Sequence, residues 1–178
     1  MNKMYSGKGD DGFTAILSGE RVPKYDLRPE AYGVVDEAQA AMGVARSAAQ
    51  DERTRSVLLE AQRDLQYLMT ELAASTRQNV VQVETLSQER VEWLENIIDE
   101  LGEQLPPLQS FVIPGDSPPG AALHLARTIV RRAERRVVRL VHNDELLSIE
   151  LIRYLNRLSS LLFVLARWED IQAELAQP

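Results

Sequence analysis

The sequence predicts an all-α fold, a five-helix antiparallel bundle preceded by an ordered loop segment. Three observations predict it: apolar residues recur at spacings of three and four in five segments, Pro- and Gly-rich breaks separate those segments, and convincing strands are few. A chain of 178 residues fits a single domain with ample length for a core. That domain is expected to span 1–178, with the loop segment over 1–28 and the helical bundle over 29–178.

Residues 1–28 are rich in Gly, Pro and charge, and their apolar residues follow no helical period. From about Pro29 to Ala49, Val34, Val35, Ala38, Ala41, Met42 and Ala45 share one arc, with Pro29 suited to the first turn. Asp51 is placed to cap a second helix, whose stripe Val57, Leu58, Ala61, Leu65, Leu68, Met69 and Leu72 runs to about Thr76. A third helix spans about Glu84 to Glu103 through Val91, Leu94, Ile98 and Leu101, and closes at Pro106-Pro107. "SFVIPGDSPPG" then reads as a crossover. Helix four follows from about Pro119 to Val141, and helix five from about Leu147 to Gln172.

The formal net charge of −7 argues against general nucleic-acid binding and against attraction to an anionic membrane. An anionic ligand therefore has to be met by a local cationic cluster. The chain has no cysteine, which excludes disulfides, thiolate metal sites and a cysteine nucleophile. No apolar run is long enough for a signal core or a bilayer span, so a cytoplasmic protein is expected.

Helix four carries the densest chemistry: "LHLARTIVRRAERRVVRLV" holds six arginines. At about 100° per residue, Ala126, Ile129, Val130, Ala133, Val137 and Leu140 share one arc. Arg127, Arg131 and Glu134, at i, i+4 and i+7, stack beside it on the rim of the core. Arg132, Arg136 and Arg139 flank the far side. A guanidinium on a core boundary suits bidentate pairing with a carboxylate or phosphate. Helix one offers such a carboxylate in "EAYGVVDEAQAAMG", where Asp36 shares its side with Gly33, Ala40 and Gly43. These small residues let another helix approach, so Asp36 is placed to reach an arginine of helix four in the same chain or in a neighbour.

Near the start, "SGKGDDGFT" has three glycines in nine residues. Glycines let the backbone turn its amides toward phosphates, and Lys8 and Lys24 add charge. By itself the stretch reads first as an ordinary turn. It is not a Walker A loop, because Phe13 rather than lysine follows Gly12. His124 and His142 form no Glu-x-x-His pair of the di-iron type, and both read as structural. Trp93 and Trp168 read as packing residues on helix faces or subunit boundaries.

Four motifs in order, "GDDGFT" leading into "GERVPK", then "EAYGVVDE", "FVIPG" with "ALHLARTIVRRAERRVV", and "YLNRLSSLLFVLAR", resemble the PduO-type ATP:cob(I)alamin (corrinoid) adenosyltransferases over nearly the whole chain. The resemblance implies a homotrimer of five-helix bundles with each active site at a subunit interface. It implies an enzyme that moves the 5′-deoxyadenosyl group of ATP onto the cobalt of reduced cobalamin and releases triphosphate, with Mg²⁺ accompanying the nucleotide. A cobalamin reductase and an adenosylcobalamin-dependent enzyme are the expected partners.

By that resemblance Ser6, Gly7, Lys8, Gly9, Thr14 and Lys24 belong to the ATP site, together with Arg131, Arg132, Glu134 and Arg135, and Asn156 completes it from helix five. Phe111 is implied to lie against the lower face of the corrin and to exclude the axial ligand. Arg127 is implied to pair with Asp36 and hold the interface. Arg131, Arg127, Asp36 and Phe111 are thus the expected catalytic set, with no protein-held metal. Three positions depart from the family pattern: Gly7 stands where many members carry lysine, Asp116 where a second glycine is common, and Ser160 where an aspartate often follows "NRLS". The last is expected to weaken a hydrogen bond around Asn156. The alternative reading is a non-catalytic bundle that carries nucleotide or corrinoid without turnover.

Overall fold

The computed structural model describes residues 3–74, 81–143 and 147–176. Its elements are a hairpin of β1 (Phe13–Ala15) and β2 (Arg21–Pro23), then α1 (Leu27–Ala48), α2 (Glu52–Ala74), α3 (Gln88–Gly102), α4 (Pro118–Val141) and α5 (Glu150–Leu175). The five helices stand as expected. The hairpin corrects the reading of 1–28 as loop throughout: its strands pair antiparallel with Thr14 opposite Val22, and three residues each are too few to show an alternating pattern. No described helix is long and apolar enough to cross a membrane.

The buried stripes follow the helical period. Ala31, Val35, Ala38, Met42 and Ala45 of α1 are closed off, as are Leu58, Leu65, Leu68 and Leu72 of α2 and Ala126, Val130, Ala133 and Val137 of α4. In α3 it is Ile97, not the expected Ile98, that completes the buried set with Val91, Leu94 and Leu101.

Helix starts are decided by side chains that consume backbone amides. Asp26 accepts from the Arg28 amide at 3.1 Å and starts α1 two residues before Pro29. Asp51 caps α2 as expected, accepting from the Thr54 amide at 2.9 Å. The helix ends at Ala74, and Thr76 lies outside the described residues. Both α3 and α5 begin three or more residues later than their periodicity indicates. One carboxylate accounts for both, since buried Glu71 accepts from the Leu86 amide (3.3 Å) and the Ser148 amide (3.2 Å), holding each approach segment out of the helix. Burial raises the Glu71 carboxyl above its ordinary value, against those two amide bonds.

Neighbouring helices alternate in direction, with one exception. Gln39 and Gln62 exchange hydrogen bonds between antiparallel α1 and α2, whereas α3 runs parallel to α5, as Glu95 meets Arg157 and Pro106 beyond the helix meets Arg167. Five alternating elements make the odd-numbered ones parallel, so this pair follows from the helix count. Because α4 packs on α1 and α5, the chain leaving α3 has to cross the end of α5. That is the task of the 103–117 crossover, pinned where Arg167 donates to the Pro106 carbonyl.

The crossover re-enters the bundle at Ser117, whose hydroxyl caps α4 by accepting from the Gly120 amide at 3.0 Å and donates to Asp170 at 2.5 Å. Gly120 leaves room there for the Asp170 carboxylate, because a Cβ would sit 2.0 Å from its Oδ1 and force that side chain to move. One turn on, His124 is buried edge-on against Phe163, with ring centroids 5.8 Å apart. Neither ring nitrogen has a hydrogen-bond partner among the described residues.

Burial and the Arg127 charge hold the His124 pKa below 6.5, against Asp170 and Asp116. The unfolded chain therefore takes up this proton first. Its contribution is fully present above about pH 6.5 and is lost as pH falls through that value toward the folded pKa. Urea midpoints are expected to drop between about pH 7.5 and 5.5, and less steeply in His124→Gln; equal slopes in the two proteins contradict this.

Candidate functional site

The amino-terminal glycine loop is a clasped structure. Asp10 donates its amide to the Gly7 carbonyl and Gly12 to that of Gly9, both at 3.2 Å. Gly7 (φ 70°) and Gly12 (φ 82°) take left-handed backbone that other residues rarely adopt. Arg21, from β2, closes the loop by donating to the Lys8 carbonyl at 2.9 Å and to both oxygens of Asp11 at 2.8 and 2.9 Å. The Phe13 amide and then Arg21 draw the Asp11 carboxyl below its usual range.

Lys24 donates its amide to the Gly12 carbonyl at 2.9 Å and lays its side chain over Gly9, where a Cβ would stand 3.1 Å from Nζ. Ser6 accepts from the Lys8 amide at 3.3 Å. Thr14 in β1 makes a side-chain hydrogen bond with Tyr32 of α1, whose phenol is nonetheless pushed up, chiefly by burial. Six expected residues, Ser6, Gly7, Lys8, Gly9, Thr14 and Lys24, thus lie within one hairpin unit. Arg21 and Asp11 were missed as its fasteners. Their partnership depends on the strand register, which no short-range spacing announces.

On α4 the arginines divide by partner. Arg132 forms an ion pair with Glu37 of α1, and Arg136 reaches Glu30 at 3.3 Å. Arg131 and Arg135 are exposed and form no ion pair among the described residues. Arg127 is half-buried, and its Nε is closed off from solvent without a hydrogen-bond partner. Asp36 is exposed on α1, and the two are not paired within the chain. Beside Asp36, a Cβ placed on Gly33 would meet nothing within 4 Å, and Val44 on the same helix is 60% exposed.

Asn156 of α5 joins this strip directly, donating from Nδ2 to Glu134 at 3.0 Å. Ser159 and Ser160 both donate to the Asn156 carbonyl, at 2.9 and 3.4 Å, so the hydrogen bond at Ser160 is the longer of the two. At the other end of α4, Phe111 projects fully exposed from the crossover. It lines an apolar groove of about 520 Å³ with Leu108, Gln109, Ser110, Val112 and Phe163. Asp116 lines a second, more polar cavity beside Arg167 and Asp170.

The chain therefore carries a cationic strip with a bound-in amide, a clasped glycine loop and an exposed aromatic groove. The family model for cobalamin adenosyltransferase matches residues 4–169. This chain belongs to the cobalamin adenosyltransferase family. Corrinoid adenosyltransferase PduO of Salmonella typhimurium is 40% identical over 173 residues, covering 97% of this chain but 51% of the relative. This family member thus spans about half the length of the PduO relatives from Salmonella typhimurium and Citrobacter freundii. A shorter corrinoid adenosyltransferase of Citrobacter freundii is 38% identical, with 96% of each chain covered. Among solved structures, a variant PduO-type ATP:corrinoid adenosyltransferase from Lactobacillus reuteri, complexed with cobalamin and ATP, superposes with a TM-score of 0.89. It is 31% identical and covers 97% of this chain and 93% of that one.

Proposed function

We propose that this adenosyltransferase-family chain transfers the 5′-deoxyadenosyl group of ATP to the cobalt of cob(I)alamin or a related reduced corrinoid. The observation that carries the reading is that one bundle presents both a phosphate-suited cationic strip, Arg131 and Arg135 beside the Glu134–Asn156 contact, and an exposed apolar groove around Phe111. In the transfer, cobalt(I) supplies an electron pair to C5′, the cobalt–carbon bond forms, and the C5′–oxygen bond breaks to release triphosphate. A nucleophile of that strength needs no protein base.

What remains for the protein is alignment and neutralisation of the leaving group. Lys8, Lys24 and the turned amides of Ser6 to Gly9 serve the phosphates, with Thr14 at the loop's edge. Arg131, Arg132 and Arg135 serve them from α4, although Arg132 has to share its charge with Glu37. Mg²⁺ arrives on the nucleotide. Among the described residues no three acidic or histidine side chains converge as a metal site, and an ion held by phosphates needs few protein ligands. Phe111 would lie against the lower face of the corrin and exclude a ligand there, which would ease the one-electron reduction of cobalt(II) to the reactive cobalt(I). A cytoplasmic reductase supplies that electron, and an adenosylcobalamin-dependent enzyme receives the product.

The active unit is a homotrimer in which Arg127 meets the partner subunit's Asp36. The half-buried Arg127, which forms no ion pair among the described residues, the exposed Asp36 and the open face at Gly33 support this arrangement. Breaking such a pair strands a charge. Asp36→Arg and Arg127→Asp are each expected to lower turnover by about 10- to 100-fold, with most of it restored in the double variant. Failure of the swap to restore activity or trimer mass in light scattering rejects the pairing.

The reaction is tested by mixing protein, MgATP and chemically reduced cobalamin and following the adenosylcobalamin spectrum. Many turnovers support the transfer. A stoichiometric spectral shift without turnover replaces it with a carrier.

A further inference from the structure

We infer that Arg157, held by Glu95, is a positioning residue that sets the orientation of the Asn156 amide in the nucleotide site. The inference rests on the ATP-site reading above and assigns a task to two residues that reading does not use. Arg157 donates from Nη1 to the Asn156 Oδ1 at 2.7 Å and from Nε to the Glu95 Oε1 at 2.6 Å. On the other side, the Asn156 Nδ2 donates to Glu134 at 3.0 Å. The four side chains form one line across three helices: Glu95 on α3, Arg157 and Asn156 on α5, and Glu134 on α4.

The two neighbours leave the amide no choice of direction. A guanidinium has donors only, so the face turned to Arg157 has to be oxygen, and a carboxylate has acceptors only, so the face turned to Glu134 has to be nitrogen. One Nδ2 hydrogen remains for an acceptor on the bound nucleoside. Without Arg157 the amide keeps only its Glu134 hydrogen bond, so it can swing about its broad terminal torsion and no longer aims the second Nδ2 hydrogen steadily at the nucleoside. Glu95 keeps the guanidinium in place, because Arg157 is itself half-exposed and otherwise free to swing into solvent.

The effect should fall on nucleotide binding rather than on the transfer step, since the amide meets the nucleoside before and during reaction alike. Arg157→Ala is expected to raise the KM for ATP by up to about tenfold, the upper end for one neutral hydrogen bond, while kcat changes less than about threefold. Glu95→Ala, which leaves the guanidinium present but unanchored, should move KM in the same direction by a smaller factor. It carries the test alone should Arg157→Ala fail to fold.

A structural role would lower the melting temperature without this split. Repeating the substitutions in an Asn156→Ala background separates the two, because a residue that acts through Asn156 then adds less than about twofold. Full additivity there, or an unchanged KM in a folded variant, overturns the inference while leaving the ATP site intact. Absence of any MgATP binding by the unaltered protein in calorimetry overturns the ATP-site reading as well.

Discussion

Arg131→Ala should lower kcat for adenosyl transfer by about 10²- to 10³-fold, the cost of removing one preorganised charge from a developing anion. Arg131 is exposed and forms no ion pair among the described residues, so its charge is not used by the fold. The same fact makes the test clean. Surface substitutions without such partners usually change stability by no more than about 0.5 kcal/mol, so lost activity reports the reaction and not unfolding. Arg131→Lys keeps the charge but not the planar fork, and should fall between wild type and alanine. Arg132 provides the contrast. Because it already pairs with Glu37, its removal is expected to cost less than that of Arg131. Steady-state rates with chemically reduced cobalamin decide the matter. A loss of less than threefold in Arg131→Ala removes this arginine from the catalytic set.

The largest loss of stability is expected from Asp64→Ala. Asp64 lies 4% exposed at the junction of three helices. It accepts from the Arg90 Nε at 2.9 and 3.0 Å, from Nη2 at 2.7 Å, and from the Tyr154 hydroxyl at 2.7 Å. The phenol is wholly buried, and burial, with the Asp64 charge second, pushes its pKa well above 10.0. Alanine leaves a guanidinium and a buried hydroxyl without partners. Breaking a buried pair from one side costs about 3–5 kcal/mol, and the partial exposure of Arg90 places this case near the lower figure. Arg90 also lies 4.3 Å from the Trp93 ring centre, a packing contact that survives the substitution. Tyr154→Phe, which removes the hydroxyl itself, should cost only about 1 kcal/mol. Urea denaturation measures both, and a cost below 1 kcal/mol for Asp64→Ala refutes the account.

The placement of the site depended on different kinds of information. The strip Arg127, Arg131 and Glu134 was legible because helical spacing is local and survives any packing. The cap at Asp51 was legible for the same reason. Asn156 came only through family motifs, since nothing within α5 says that Glu134 faces it. Arg157, one residue further, gave no signal at all: its task is defined by Glu95 across a helix boundary. Glu71 is the clearest case of a decision taken at long range. Its carboxylate consumes amides at Leu86 and Ser148 and overrides the periodicity that placed the starts of α3 and α5 earlier.

The sequence alone determined the five helices, most of each buried stripe and the order of charged motifs, because a 3.6-residue period and the chemistry of caps act within a few turns. Only the tertiary structure decided the hairpin register that joins Arg21 to Asp11, the parallel packing of α3 on α5, and which arginines of α4 remain unpaired. Those outcomes rest on contacts between residues distant along the chain. Their geometry exists only once the helices have packed.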